Sequence, residues 1–136
     1  MDHQQIFAPM GALAFLTFLV LIQIPIRRIA AARARLVKAA DFRFGESSAV
    51  PGDVSIPNRN FMNLLELPML FYVGALMYQI AGKVDALALT LAWLYVGCRA
   101  VHSIIHLTYN HVLHRLAAFT VSNVVLTVFW IWFFIG

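Results

Sequence analysis

Arg59, Asn63 and Glu66 stand near the start of one long apolar stretch of this chain, and Arg99, His102 and His106 near the end of another. Spacings of four and three, then three and four, put each trio on one face of a helix. A charged group inside a bilayer segment costs about 2.5–3.5 kcal/mol on insertion scales, so six polar side chains gathered in apolar surroundings point to a site facing a protein interior. Their chemistry is that of polar-ligand recognition. The planar guanidinium fork matches a carboxylate with two parallel hydrogen bonds, and Glu66 can accept from an amine or amide N–H. A plain alternative is an ion pair between Glu66 and Arg99 that only pins two helices together. It leaves Arg59, Asn63, His102 and Arg115 without a role.

The elements that must carry these residues are transmembrane helices. Of 136 residues 62% are hydrophobic and 12% charged, and the mean hydropathy is +0.80, too apolar for a soluble domain of this size. A spanning helix needs about 20 mostly apolar residues, and four such stretches occupy nearly the whole length. They run over residues 6–26, 59–82, 86–108 and 113–135, which predicts an all-α four-helix membrane bundle as a single domain over residues 1–136. Basic residues follow the first apolar stretch instead of preceding it, so that stretch is a retained helix and not a secretory signal. Pro25 is positioned to kink its end.

The connection from residue 27 to residue 59 holds Arg27, Arg28, Arg33, Arg35, Lys38, Arg43 and Arg59 against Asp41, Glu46 and Asp53, which predicts a cytoplasmic loop with both termini on the opposite side. Its Ala-rich start can continue the first helix, whereas FGESSAVPGDVSIPN reads as irregular because Gly and Pro interrupt every period. With this topology the second helix leaves the cytoplasmic face at Arg59, the third returns to it at His106, and the fourth departs from it with His114 and Arg115. At about 1.5 Å per residue, Glu66 and Arg99 each lie roughly 10 Å inside that face, so the two polar stripes overlap in depth.

The net charge of +4 and pI of 9.7 come from residues beside a membrane segment, which favours topology and anionic lipid over nucleic acid. Cys98, the only cysteine, excludes an intrachain disulfide. His102, His106, His111 and His114 raise the possibility of a metal, haem or proton-relay cluster, but only the first two share a helix face, and two ligands do not define a metal site. A transport pathway is disfavoured because the polar residues crowd one end of the bundle. Trp130 and Trp132, in VFWIWFFIG, read as an interfacial aromatic belt.

RNFMNLLELPMLF, with Arg59, Asn63, Glu66 and a nearby Pro, followed by RAVHSIIH and later Arg115, resembles the MAPEG family of membrane proteins in eicosanoid and glutathione metabolism, and within it the microsomal glutathione transferases. The resemblance covers the whole chain; its helix-two motif is the more specific part. It implies a homotrimer that holds glutathione as co-substrate between subunits near the cytoplasmic face and takes a lipophilic small molecule from the bilayer, with no metal. Carried over, Arg59, Asn63 and Glu66 would hold glutathione from the second helix, Arg99 and His102 from the third, and Arg115 would be the catalytic residue that stabilises the thiolate. Arg27 or Arg28 would match the family's first-helix arginine, and Arg28 is taken as the candidate.

There are departures from the family pattern. His106 stands where the family's enzymes carry a tyrosine, Tyr109 one turn further on is a substitute, and Leu116 replaces the serine of the prostaglandin synthase, which argues against prostaglandin isomerisation. Glutathione carries two carboxylates, an ammonium and a thiol, and this constellation offers cations, an anion and donors for them. An arginine beside the sulfur would lower a thiol pKa of about 8.5, each unit corresponding to about 1.4 kcal/mol. The expected activity is that of a glutathione transferase or peroxidase; the alternative is a non-catalytic lipid-binding or scaffold member of the same fold. The lack of an endoplasmic-reticulum retrieval tail points to a bacterial inner membrane.

Overall fold

The computed structural model describes residues 3–136. After a 3-10 turn at His3–Ile6 come α1 Phe7–Arg33, α2 Gly52–Leu65, α3 Pro68–Ile80, α4 Ala86–Leu107 and α5 Val112–Ile135. Helices α2 and α3 are two halves of one span, so four segments are long and apolar enough to cross a membrane. The protein is an all-α, four-span membrane bundle.

Helix α1 continues into the Ala-rich stretch as expected, and two other boundaries differ from the sequence expectation, each for a local reason. Helix α1 runs on to Arg33 because Ala30, Ala31 and Ala32 favour helix; it ends where Arg35 turns left-handed at φ 58°. Helix α2 begins at Gly52, well before Arg59, and carries Pro57 inside it. Pro57 has no N–H, so the Asp53 carbonyl loses its helical donor. Arg27 replaces that donor: its Nη1 bonds the Asp53 carbonyl at 3.0 Å and its Nη2 the Leu107 carbonyl at the end of α4 at 2.8 Å. One guanidinium thus ties α1 to α2 and α4 through main-chain atoms.

The second span then breaks. The ring of Pro68 would collide with the Leu64 carbonyl in a continuous helix, so the chain swings out at Glu66, where ψ is −98°, and α3 restarts with Pro68 in its first turn. The break orphans carbonyls at the end of α2. Arg99 Nη2, from α4, donates to that of Asn63 at 2.8 Å.

The core lies among the helices and is built from Leu13 and Val20 of α1, Leu64 of α2, Phe71, Ala75 and Tyr78 of α3, Ala88, Ala92 and Tyr95 of α4, and Leu126 and Phe129 of α5. Tyr78 donates to the Phe129 carbonyl at 2.8 Å. Gly74 lets α3 approach α5 so closely that an added Cβ would sit 2.9 Å from Phe129 Cε1. At the far end of the bundle Asp85 caps α4 through Ala88 N–H at 2.7 Å and accepts from Trp132 Nε1 at 2.9 Å. Trp132 is therefore tied to a turn, and Trp130 packs partly buried against Gly74.

The loop between α1 and α2, expected to be irregular, has a small core of its own. Ala31, Val37, Val50 and Val54 bury together with Phe42 against them. Arg28 pairs with Glu46 at 3.0 Å and lies 4.5 Å from the centre of the Phe42 ring.

Candidate functional site

Between α2, α4 and α5, at the end of the bundle that bears the basic loop, lies a cavity of about 310 Å³. Its lining includes Arg59 and Asn63 from α2, His102 and His106 from α4, and Arg115, Leu116 and Phe119 from α5. Arg59, Asn63, His102 and His106, singled out by spacing, and Arg115, expected from the resemblance, are thus brought to one place, because α2 and α4 present their polar faces to each other and α5 closes the third wall.

Arg99 lies one turn deeper and is fully buried. One Nη is committed to the Asn63 carbonyl, its Cζ stands 5.6 Å from the centre of the Phe119 ring, and its Nε and other Nη are buried without a partner. His102 and His106 stack edge to face at 5.7 Å between ring centres, and the Nδ1 of each is likewise buried and unpartnered. Arg99 Nε and Nη1 are donors without an acceptor, and each imidazole Nδ1 donates or accepts according to its tautomer, so these four nitrogens offer polar atoms suited to a ligand.

At the mouth, Arg59 is exposed and forms no ion pair among the described residues. Asn63 turns its amide back to the Arg59 carbonyl at 3.1 Å. Arg115 is held by Asn110, whose Oδ1 accepts from Nη1 at 2.9 Å. Asn110 can do this because it occupies the left-handed region at φ 47°, which Asn tolerates, in the tight α4–α5 turn. All charges on the cavity wall are positive, and no carboxylate lines it.

Three residues expected at the site stand elsewhere in the chain. Glu66 sits at the helix break, exposed and outside the cavity lining, and makes no ion pair with Arg99, whose Nη2 instead caps α2. Tyr109 is 60% exposed and bonds His114 Nδ1 through its hydroxyl at 3.0 Å, facing a different groove. Arg28 is held by Glu46 and Phe42 over the loop; Arg27 is the first-helix arginine that reaches the other spans. The histidines separate in the same way, with His102 and His106 in the cavity and His111 stacked on His114 outside it, 4.3 Å between ring centres. Among the described residues no three of His, Cys, Asp or Glu converge as a metal site would require.

Sequence reasoning missed Asn110, Phe119 and Asn60. Asn60 is fully buried and accepts from Ser103 Oγ at 3.2 Å, linking α2 to α4 beside the cavity. Asn110 carried a readable signal, a turn-forming residue directly before a helix start. Phe119 carried none, since an aromatic at helical spacing is ordinarily core.

A family model described as the MAPEG family matches residues 6–135 of the chain. No curated protein and no solved structure matches it.

Proposed function

The chain belongs to the MAPEG family, membrane proteins of eicosanoid and glutathione metabolism, and on that footing we propose that it is a homotrimeric membrane glutathione transferase or glutathione-dependent peroxidase. The observation that carries the reading is the cavity itself, with Arg59, Arg115, His102 and His106 on its wall and, one turn deeper, Arg99, whose Nε and Nη1 are donors without acceptors. Glutathione fits that donor set, since its two carboxylates offer acceptors, and it supplies a thiol.

In this reading Arg59, at the mouth, and the two free nitrogens of Arg99, at the base, bind the carboxylates. Asn63, His102 and His106 direct the peptide by hydrogen bonds. Arg115, fixed by Asn110, places positive charge where the sulfur stands and so favours the thiolate for attack on an electrophile or a hydroperoxide. Burial strengthens that interaction, because the cavity excludes much of the water that would screen it. The lipophilic second substrate arrives through the bilayer, where it concentrates.

Two observations favour assembly. Glu66 is an exposed carboxylate within a membrane segment, a position costing about 2.5 kcal/mol or more unless protein covers it. The cavity, in turn, has no anion for the ligand's ammonium. A neighbouring subunit packed over this face relieves both, with Glu66 then turned to the ligand. The excess of Arg and Lys supports a cytoplasmic basic end, and a bacterial inner membrane is the location to test by fractionation.

The test is a glutathione titration of detergent-purified protein followed by thiolate ultraviolet absorbance, with Arg115→Ala alongside. Saturable thiolate formation, lost in Arg115→Ala, is expected. Thiolate formation undiminished in that variant refutes the assignment of Arg115, and an absence of glutathione binding points to a non-catalytic member of the fold. A monomeric mass in mild detergent refutes the trimer.

A further inference from the structure

The segment between α1 and α2 lies at the membrane surface, and Arg27 fixes its level. That side chain bonds the Asp53 carbonyl at the start of α2 and the Leu107 carbonyl at the end of α4, so it marks where the spans end. Helix α1 runs on beyond it to Arg33, about 9 Å further at about 1.5 Å per residue, and the headgroup layer on one side of a bilayer is roughly 5–8 Å deep. Residues 34–51 therefore leave and rejoin the bundle at the headgroups. Here Arg33, Arg35, Lys38 and Arg43 are all exposed and form no ion pair among the described residues. The nearby acids are mostly engaged. Glu46 pairs with Arg28, and Asp41 accepts from the Lys38 amide at 2.7 Å and the Ser47 hydroxyl at 3.1 Å, which leaves the Asp53 side chain as the one carboxylate there with no partner among the described residues.

We propose that this segment is a preformed platform that docks on anionic phospholipid headgroups of the bilayer the protein spans, with Phe44 and Leu36 entering the headgroup layer among the cations. Three observations support this. Apolar and basic side chains sit side by side on its surface: Phe44 is 93% and Leu36 60% exposed, and the Arg43 guanidinium stands 5.3 Å from the centre of the Phe44 ring. A cation beside an apolar group matches a lipid, whose phosphate adjoins its acyl chains. The platform is also held in shape from inside, since Ala31, Val37, Val50 and Val54 bury together with Phe42 against them, so little ordering is left for docking. Finally, Arg35 occupies the left-handed region at φ 58°, which favours glycine; its N–H closes the end of α1 on the Ala32 carbonyl, and the Leu36 N–H bonds that of Ala31. Such a helix end needs no side chain at that position, and a cation kept there against the backbone preference has a use outside the fold. A soluble acidic partner would match the charges, but headgroup depth and two exposed apolar side chains favour lipid.

The experiment places full-length Phe44→Trp protein in nanodiscs of phosphatidylcholine alone or mixed with phosphatidylglycerol, with the same fraction of brominated phosphatidylcholine in both. Bromines quench nearby tryptophan, so the emission that Phe44→Trp adds over the unsubstituted protein reports the depth of the platform, and a change at so exposed a side chain spares the core. Bluer emission and at least about twofold stronger quenching are expected with phosphatidylglycerol, and high salt is expected to abolish the difference. Adding Arg35→Gly is expected to shrink the difference while leaving the melting temperature equal or higher, because glycine suits the left-handed turn. Adding Arg33→Gln with Lys38→Gln, which leaves that turn alone, is expected to shrink it too. Water-like emission in both lipid mixtures overturns the proposal and points to a soluble partner. Quenching equal with and without phosphatidylglycerol, insensitive to salt, or unchanged in both charge variants overturns it as well. The readout involves neither glutathione nor turnover, so its outcome is separate from that of the proposed activity.

Discussion

Replacing Arg27 by Met keeps the apolar stem of the side chain and removes the two hydrogen bonds that join three helices. A hydrogen bond to a charged group contributes about 1.5–3 kcal/mol when buried. The bond to the Leu107 carbonyl is half-buried and is taken at about 2 kcal/mol; that to Asp53 is exposed and is taken at about 1 kcal/mol after solvent screening, for a loss of roughly 3 kcal/mol. The Asp53 bond exists because Pro57 has no N–H to give. In a Pro57→Ala background the amide of residue 57 can serve that carbonyl, and Arg27→Met is expected to cost roughly 2 kcal/mol instead of 3, a coupling of about 1 kcal/mol. Four proteins, unfolded reversibly by adding denaturing detergent to mild micelles and followed by far-ultraviolet circular dichroism, measure this cycle; the packing lost with the buried proline cancels in it. Equal cost of Arg27→Met in both backgrounds would refute the compensation between Arg27 and Pro57, and a cost well under 1 kcal/mol would refute the tie itself.

Gly74→Ala is expected to destabilise the bundle by about 1–3 kcal/mol in the same assay, because its Cβ would press on Phe129 at 2.9 Å and on Trp130 at 3.3 Å. Asp85→Ala removes both the α4 cap and the acceptor of Trp132; a loss of about 2 kcal/mol and altered Trp132 fluorescence are expected, and unchanged emission would deny the bond. Asn110→Gly keeps the left-handed turn but frees Arg115, so thiolate formation is expected to fall with little change in stability; a large drop in melting temperature with unchanged thiolate yield would make Asn110 purely structural.

The four spans and their order were legible because apolar length alone specifies them. The gathering of Arg59, Asn63, His102, His106 and Arg115 was legible because polar residues in a membrane segment have few places to go. What was hidden depended on main-chain accounting. PGDVSIPN looks like a loop until a partner is found for the carbonyl that Pro57 strands, and that partner, Arg27, is distant in sequence. Glu66 shares a helical stripe with Arg59 and Asn63 on paper, but Pro68 breaks the helix at that residue and turns it out of line. Arg27 and Arg28 are neighbours with identical side chains; only the position of Glu46, set by the folded loop, determines which of them reaches the other spans.

The register of α4 matters for a different reason. Val101 and Ile105 line the apolar groove that Tyr109 faces, while their immediate successors His102 and His106 line the basic cavity, so two unlike compartments are read from consecutive letters of one helix. Successive residues differ by about 100° around a helix axis. A single codon inserted ahead of Gly97 would seat valine and isoleucine among the arginines and carry the imidazoles away, with composition and hydropathy almost unaltered. Length in this segment is therefore fixed to the residue, whereas the loop between α1 and α2 can absorb insertions, and drift in gene length among descendants of this chain should accumulate there and stop short of α4.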